Sequence, residues 1–110
     1  DLVFDNLEFQ TGKDIIMASS YPSLNKLVEI LKKRGKFKLT VSGHTDNKGS
    51  AALNNALSLK RANAVKRFLT SKALNSSMII TEGNGSNFPI ADNATEEGRQ
   101  KNRRVEFKLE

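Results

Sequence analysis

The feature that most limits what this chain can fold into is a change of hydrophobic period around Gly35. Upstream of it, Leu24, Leu27, Val28 and Leu31 fall at i, i+3, i+4 and i+7, the single apolar stripe of an amphipathic helix. Lys32, Lys33 and Arg34 complement the dipole at the end of that helix, and Gly35 stops it. Downstream, Phe37, Leu39 and Val41 alternate with Lys38, Thr40 and Ser42, the period-2 pattern of a half-buried strand. A helix that leads straight into a strand, each with one apolar face, buries both faces in a shared core.

The same reading extends along the chain. Leu7 and Phe9 alternate with Asn6, Glu8 and Gln10, which predicts a first strand ending at Thr11-Gly12. Leu53, Leu57, Val65, Phe68 and Leu69 mark the apolar face of a second helix, from Ser50 or Ala51 to Ser71. Met78, Ile79 and Ile80 predict a short buried strand. Residues 82–93 read as loop, with Gly83-Asn84-Gly85 as a turn, and Thr95-Glu96-Glu97 as the capped, acid-rich start of a short helix. Val105, Phe107 and Leu109 alternate with Arg104, Glu106 and Lys108 in a final strand. The order β-α-β-α-β-(short α)-β predicts an α/β sandwich of the α+β kind, a mixed sheet with helices on one face, in a single domain over residues 1–110.

Several function classes fall away. No stretch approaches the roughly 20 apolar residues of a membrane-spanning helix, and Asp1 to Asp5 carry no leader pattern, so any signal or membrane attachment is expected upstream. The absence of cysteine removes disulfides, thiolate metal sites and cysteine nucleophiles. His44 is the lone histidine and has no second ligand at a diagnostic spacing, so no metal and no cofactor is expected. Ser42, His44 and Asp46 alternate along one strand and loop, which is not the convergent geometry of a catalytic triad, and the chain is read as a non-enzyme. His44 is expected to order its loop by hydrogen bonding its neighbours. A net charge of +6 and a pI near 9.8 favour an anionic partner. A basic nucleic-acid-binding domain is the alternative reading, opposed by dispersed lysines and arginines and by few aromatic rings.

One position breaks the pattern. Arg61 lies on the line Leu57, Arg61, Val65 at i+4 spacing, on the apolar side of the second helix. A guanidinium there needs a carboxylate, backbone carbonyls or an anionic ligand. Asn54 lies seven residues earlier on nearly the same face, and the loop after the Phe37–Val41 strand brings Asp46 to the helix's early turns. Two readings stay open: Asp46 and Arg61 pair with each other structurally, or each keeps an open side and together they receive a zwitterion, ammonium on Asp46 and carboxylate on Arg61. Near the last strand, Arg103 is expected at the pocket edge or on a carboxylate, and Arg104, pointing the other way, as a solvated charge.

The run Gly43-His44-Thr45-Asp46 with Gly49, then Asn54, Leu57-Ser58, Arg61-Ala62, Val65 and Leu69, resembles the OmpA-like peptidoglycan-binding domain. The resemblance continues through Gly83, Gly85, residues 89–93 and Thr95 to Gly98-Arg99 and Asn102-Arg103-Arg104-Val105-Glu106, nearly the whole chain. It implies non-covalent binding of the diaminopimelate of a peptidoglycan stem peptide by Asp46 and Arg61, with Thr45 and Asn54 shaping the pocket and Arg103 at its edge. It further implies a structural tether of the outer membrane or an envelope complex to the cell wall, in the periplasm of a Gram-negative bacterium, and leaves a homodimer open. Where relatives commonly carry an acid or amide after the first strand, this chain reads Phe9-Gln10-Thr11-Gly12-Lys13, so only main-chain groups of Thr11 and Gly12 are expected to contribute there.

Overall fold

A computed structural model of the chain describes residues 7–110. Asn6, where the first predicted alternation begins, lies outside them. The period change at Gly35 is realised as expected: helix α1 spans Tyr21–Arg34 with Leu24, Leu27, Val28 and Leu31 all buried, and the Gly35 N–H donates to the Leu31 carbonyl at 3.1 Å. Strand β1, Leu39–His44, follows. It is the central strand of a three-stranded sheet, pairing in parallel with β2 (Ile79–Gly83) and antiparallel with β3 (Arg104–Leu109). Helix α2, Ala51–Ser71, joins β1 to β2, and Ser50 caps it by accepting from the Leu53 N–H. A short helix α3, Glu96–Asn102, precedes β3, with Thr95 accepting from the Gly98 N–H as the spacing required.

Alternation along the strands divides the sheet into two faces. Leu39, Val41, Ile79, Val105 and Phe107 are buried on one face, in a core completed by Leu24, Leu27 and Leu31 of α1 and Val65 and Leu69 of α2. Thr40, Ser42, Ile80, Glu106 and Lys108 belong to the other, which no long helix covers. The mixed sheet with helices on one face is therefore the observed architecture.

Three expectations are corrected. First, among the described residues no strand before α1 joins the sheet. Phe9 makes an isolated antiparallel bridge to Ile16, the Gln10 N–H donates to the Ile15 carbonyl and the Met17 N–H to the Glu8 carbonyl, each at 2.9 Å. Gly12, at φ +68°, reverses the chain, and a partner a few residues away costs less loop-closure entropy than a distant strand. Second, Ile80 is exposed on the open face and Met78 sits in a 3-10 turn, Ser76–Met78, so the third predicted strand is half-buried and not a continuous apolar run. Third, Leu53 is 70% exposed, and the face that α2 turns inward is Asn54, Ser58, Ala62, Val65 and Leu69. Close packing explains that choice. A Cβ added at Gly43 would overlap the Ser58 carbonyl, and one at Gly83 would lie 2.6 Å from the Leu59 Cβ. The first half of α2 lies so near the sheet that only small or compact polar side chains fit between them.

Candidate functional site

The carboxyl end of β1 runs into the loop 45–50, and α2 begins there. The Thr45 N–H donates to the Gly85 carbonyl at 2.8 Å, and its hydroxyl donates to the Asp46 carbonyl at 2.8 Å, so Thr45 fixes this loop against the one after β2. Asn54, one turn into α2, donates through its amide to the carbonyls of Lys48, at 3.0 Å, and Asp46, at 3.4 Å. Both residues are buried; their polar groups replace the regular backbone pairing that the loop gives up.

Asp46 is thereby held with 8% of its surface exposed. Its Oδ1 accepts from the Lys48 N–H at 2.9 Å and its Oδ2 from Arg103 at 2.6 Å. Burial works to raise the pKa of this carboxyl and is outweighed by the Lys48 amide and the Arg103 guanidinium, so Asp46 lies below its ordinary value and stays ionised. Arg103 bridges two carboxylates, its second terminal nitrogen reaching Glu96 Oε1 at 2.6 Å. Glu96 was not singled out by sequence. The signal was its spacing: a two-turn helix puts positions 96 and 103 on one face, i and i+7.

Arg61 completes the group from the middle of α2. It lies at the edge of the inward face, half-buried, with its guanidinium 5.0 Å above the Phe9 ring. Its Nε donates to the Lys13 carbonyl at 3.0 Å, the only acceptor it has among the described residues. Asp46 pairs with Arg103 and not with Arg61, so the open question of a structural Asp46–Arg61 bridge is resolved against that bridge. Burial and the like charge of Arg103 both lower the Arg61 pKa, against the partial compensation of Asp14 and Asp46. The result is a fixed, partly desolvated cation whose two terminal nitrogens have no protein acceptor among the described residues, next to an ionised carboxylate. The hairpin turn reaches this group through Lys13 and Phe9, while Thr11 and Gly12 stand exposed at its tip. Among the described residues no cluster of three metal-ligating side chains occurs.

On the open face of the sheet lies a second polar cluster, and here two expectations fail. His44 is 4% exposed; its Nε2 approaches Glu106 Oε1 at 3.2 Å without hydrogen-bond alignment and its Nδ1 has no partner, so it does not order the loop by hydrogen bonding. Its ring meets Phe88 edge-on, 6.2 Å between centroids. Burial and Arg104 lower the His44 pKa, against the pull of Glu106 and Glu82. Arg104 is not a solvated charge: its side chain is 14% exposed and donates to Glu106 at 2.9 Å and to the carbonyls of Asn102, at 3.1 Å, and Phe88, at 2.9 Å. The shallow depression of about 630 Å³ above this cluster is lined in part by Phe88, Pro89 and Ile90 and contains neither Asp46 nor Arg61.

The outer membrane porin F of Pseudomonas fluorescens is 37% identical over 105 residues, covering 96% of this chain and 32% of that protein. The peptidoglycan-binding protein ArfA of Mycobacterium tuberculosis is 43% identical over 92 residues, 84% of this chain and 28% of that protein. The chain thus spans about a third of the length of these relatives. Among solved structures, the cell wall anchor of the type VI secretion system of Pseudomonas aeruginosa superposes with a TM-score of 0.80 at 32% identity, covering 92% of this chain and 72% of that one. The OmpA family profile matches residues 8–103, a span that includes Asp46, Asn54, Arg61 and Arg103, and this chain belongs to the OmpA family.

Proposed function

We propose that this domain binds peptidoglycan without turning it over, gripping the free amino-acid end of a diaminopimelate residue in a stem peptide, and that it tethers an outer membrane or envelope complex to the wall from the periplasmic side. The observation that carries the reading is Arg61: a half-buried guanidinium with unused donors, set beside an Asp46 that is already ionised and still has lone pairs free. An α-amino acid presents an ammonium and a carboxylate on one carbon, and the two protein charges match them in sign. Arg103, held between Asp46 and Glu96, keeps the acceptor carboxylate aimed, and Thr45 and Asn54 hold the loop that carries it. Main-chain groups of Thr11 and Gly12 complete the rim on the hairpin side. The names of ArfA, a peptidoglycan-binding protein, and of the secretion-system cell wall anchor support the cell wall as the partner.

Charge-assisted hydrogen bonds contribute about 1.5–3 kcal/mol each before ordering costs, which gives a modest affinity per stem and strong retention on a polymer that repeats the stem many times. Calorimetric titration with a stem peptide containing diaminopimelate, beside the same peptide containing lysine, tests the assignment. Lysine lacks the second carboxylate that Arg61 awaits, so heat is expected from the first peptide alone. Equal binding of both peptides would remove Arg61 from the recognition.

A further inference from the structure

The net charge of +6 is not spread over the molecule. At the end of the sheet where β1 begins stand Lys32, Lys33 and Arg34 of the last turn of α1, Lys36 and Lys38 of the connection to β1, Lys108 opposite Thr40 on β3, and Lys72 just past α2. The Lys38 and Glu110 backbones exchange hydrogen bonds, at 3.2 and 2.9 Å, which places the end of β3 there too. All seven side chains are exposed. Among the described residues only Lys108 of the seven has an ion pair, with Glu110 at 3.8 Å, and Glu29 lies a turn earlier on α1. Among the described residues Lys32, Lys33, Arg34, Lys36 and Lys38 have no ion-pair partner, and Lys72 lies over the Phe68 ring. At the opposite end, where β1 finishes, residues 44–48 and 82–106 with Arg61 hold six cations and six carboxylates. Seven cations against Glu110 and Glu29 leave the first end strongly positive among the described residues, while the second end is balanced.

Complementing the α1 dipole accounts for the last-turn residues, an effect that fades within one turn. It does not account for Lys36, Lys38, Lys72 and Lys108, which belong to other segments. Uncompensated like charges repel, and a protein that keeps them together at one end has a use for them there. The two ends are separated by the length of β1, roughly 20 Å at about 3.3 Å per residue, which is more than twice the Debye length of about 8 Å at physiological salt. The cationic end therefore acts on whatever lies against it, independently of the Asp46–Arg61 site.

We propose that this cationic pole docks on the phosphate headgroups of an anionic lipid surface, so that the domain faces a membrane with one end and the wall with the other. The cations come from four segments and form a cap around one end of the molecule; a flat field of phosphates fits a cap, whereas nucleic-acid readers present a stripe or a helix. The lipid contact stands on the charge distribution alone, and only the two-sided arrangement rests on the wall-binding reading.

Co-sedimentation of the domain with phosphatidylcholine vesicles, with and without phosphatidylglycerol, tests the docking without any wall material. Binding is expected only where phosphatidylglycerol is present, and it should fall steeply with added salt. Each basic side chain near such a surface is worth about five-fold in partition, so K33Q, K36Q and K38Q together should weaken it on the order of a hundredfold. K60Q, K66Q and R67Q remove the same charge from the exposed side of α2 and should leave most of the binding in place. Equal losses from the two triple variants would overturn the proposal, reducing the effect to net charge, as would absence of binding to the anionic vesicles. Tighter retention of the wild-type domain on duplex DNA than on those vesicles would overturn it in favour of nucleic acid. Sedimentation with purified wall, unchanged in the K33Q/K36Q/K38Q variant, separates failure at the pole from failure at the Asp46–Arg61 site.

Discussion

Arg103 and Arg104 are neighbours in sequence and serve opposite sides of the same strand end, and the difference between the two sides separates a supporting cluster from a receptive one. On the open face, Arg104 spends its donors on Glu106 and two backbone carbonyls, and Phe88 closes over His44. On the helix side, Arg103 is likewise spent on Asp46 and Glu96, but it stands beside Arg61, whose terminal nitrogens are not. Both sides contain buried charge. What distinguishes them is satisfaction of the buried guanidinium: where all three of its nitrogens have acceptors, as in Arg104, it contributes to holding the fold, and where its terminal nitrogens lack one among the described residues, as in Arg61, an anion from outside completes it.

The comparison can be broken at the strand the two sides share. Gly43→Ala drives a methyl into the Ser58 carbonyl, pushes α2 off the sheet and should cost about 3 kcal/mol or more in urea unfolding, with both sides disordered together. It can be sharpened by a crossed pair of truncations. Arg61→Ala should weaken sedimentation with purified wall by about ten- to a hundredfold, the worth of one or two charge-assisted bonds, with a smaller change in stability. Arg104→Ala should do the reverse, lowering stability by about 1–3 kcal/mol because the Asn102 and Phe88 carbonyls and Glu106 lose their donor, while wall binding by the folded protein is kept. If Arg104→Ala abolished wall binding while the protein remained folded, satisfaction would be the wrong criterion.

Acid should distinguish the sides more gently. Asp46 titrates below 3.8 in the folded protein, so its contribution is fully present above that value and is lost as pH falls through the lower folded pKa; wall binding should survive mild acid and fail only below pH 3.8. His44 shows the smallest effect and the opposite charge change. Its folded pKa is depressed below 6.5, so the unfolded chain takes up the proton first, and stability declines as pH falls from 6.5 toward the lower folded pKa. His44→Gln should flatten that slope in urea titrations at successive pH values and leave wall binding as it is.

Much of this was legible in the residues. The 3.6 to 2 change of period located the end of α1 at Gly35 and β1 to within two residues, Thr95 marked the start of α3, and Arg61 announced itself as a charge on an apolar line. The failures share a cause: periodicity reports which side of an element is buried and nothing about what covers it. Leu53 matched the helical stripe, but glycines on β1 and β2 bring α2 too close for it, and the inward face is set by size. Arg104 alternates outward as predicted, yet the loop carrying Phe88 folds over it. Phe9 alternates like a strand residue and finds Ile16 after a Gly12 turn. Glu96 needed the two-turn length of α3 before its reach to Arg103 could be seen.

The glycine contacts beneath α2 also bear on how the sequence is free to vary over evolution. Positions 43 and 83 are barred to any side chain by backbone and Cβ atoms across the interface, and position 98 by the Asp92 carbonyl, whatever the domain binds. Descendants of this fold should therefore retain these three glycines even after changing ligand. A relative that keeps glycine at all three and replaces the acid at 46 or the arginine at 61 would be one in which the scaffold has been inherited and the specificity renewed.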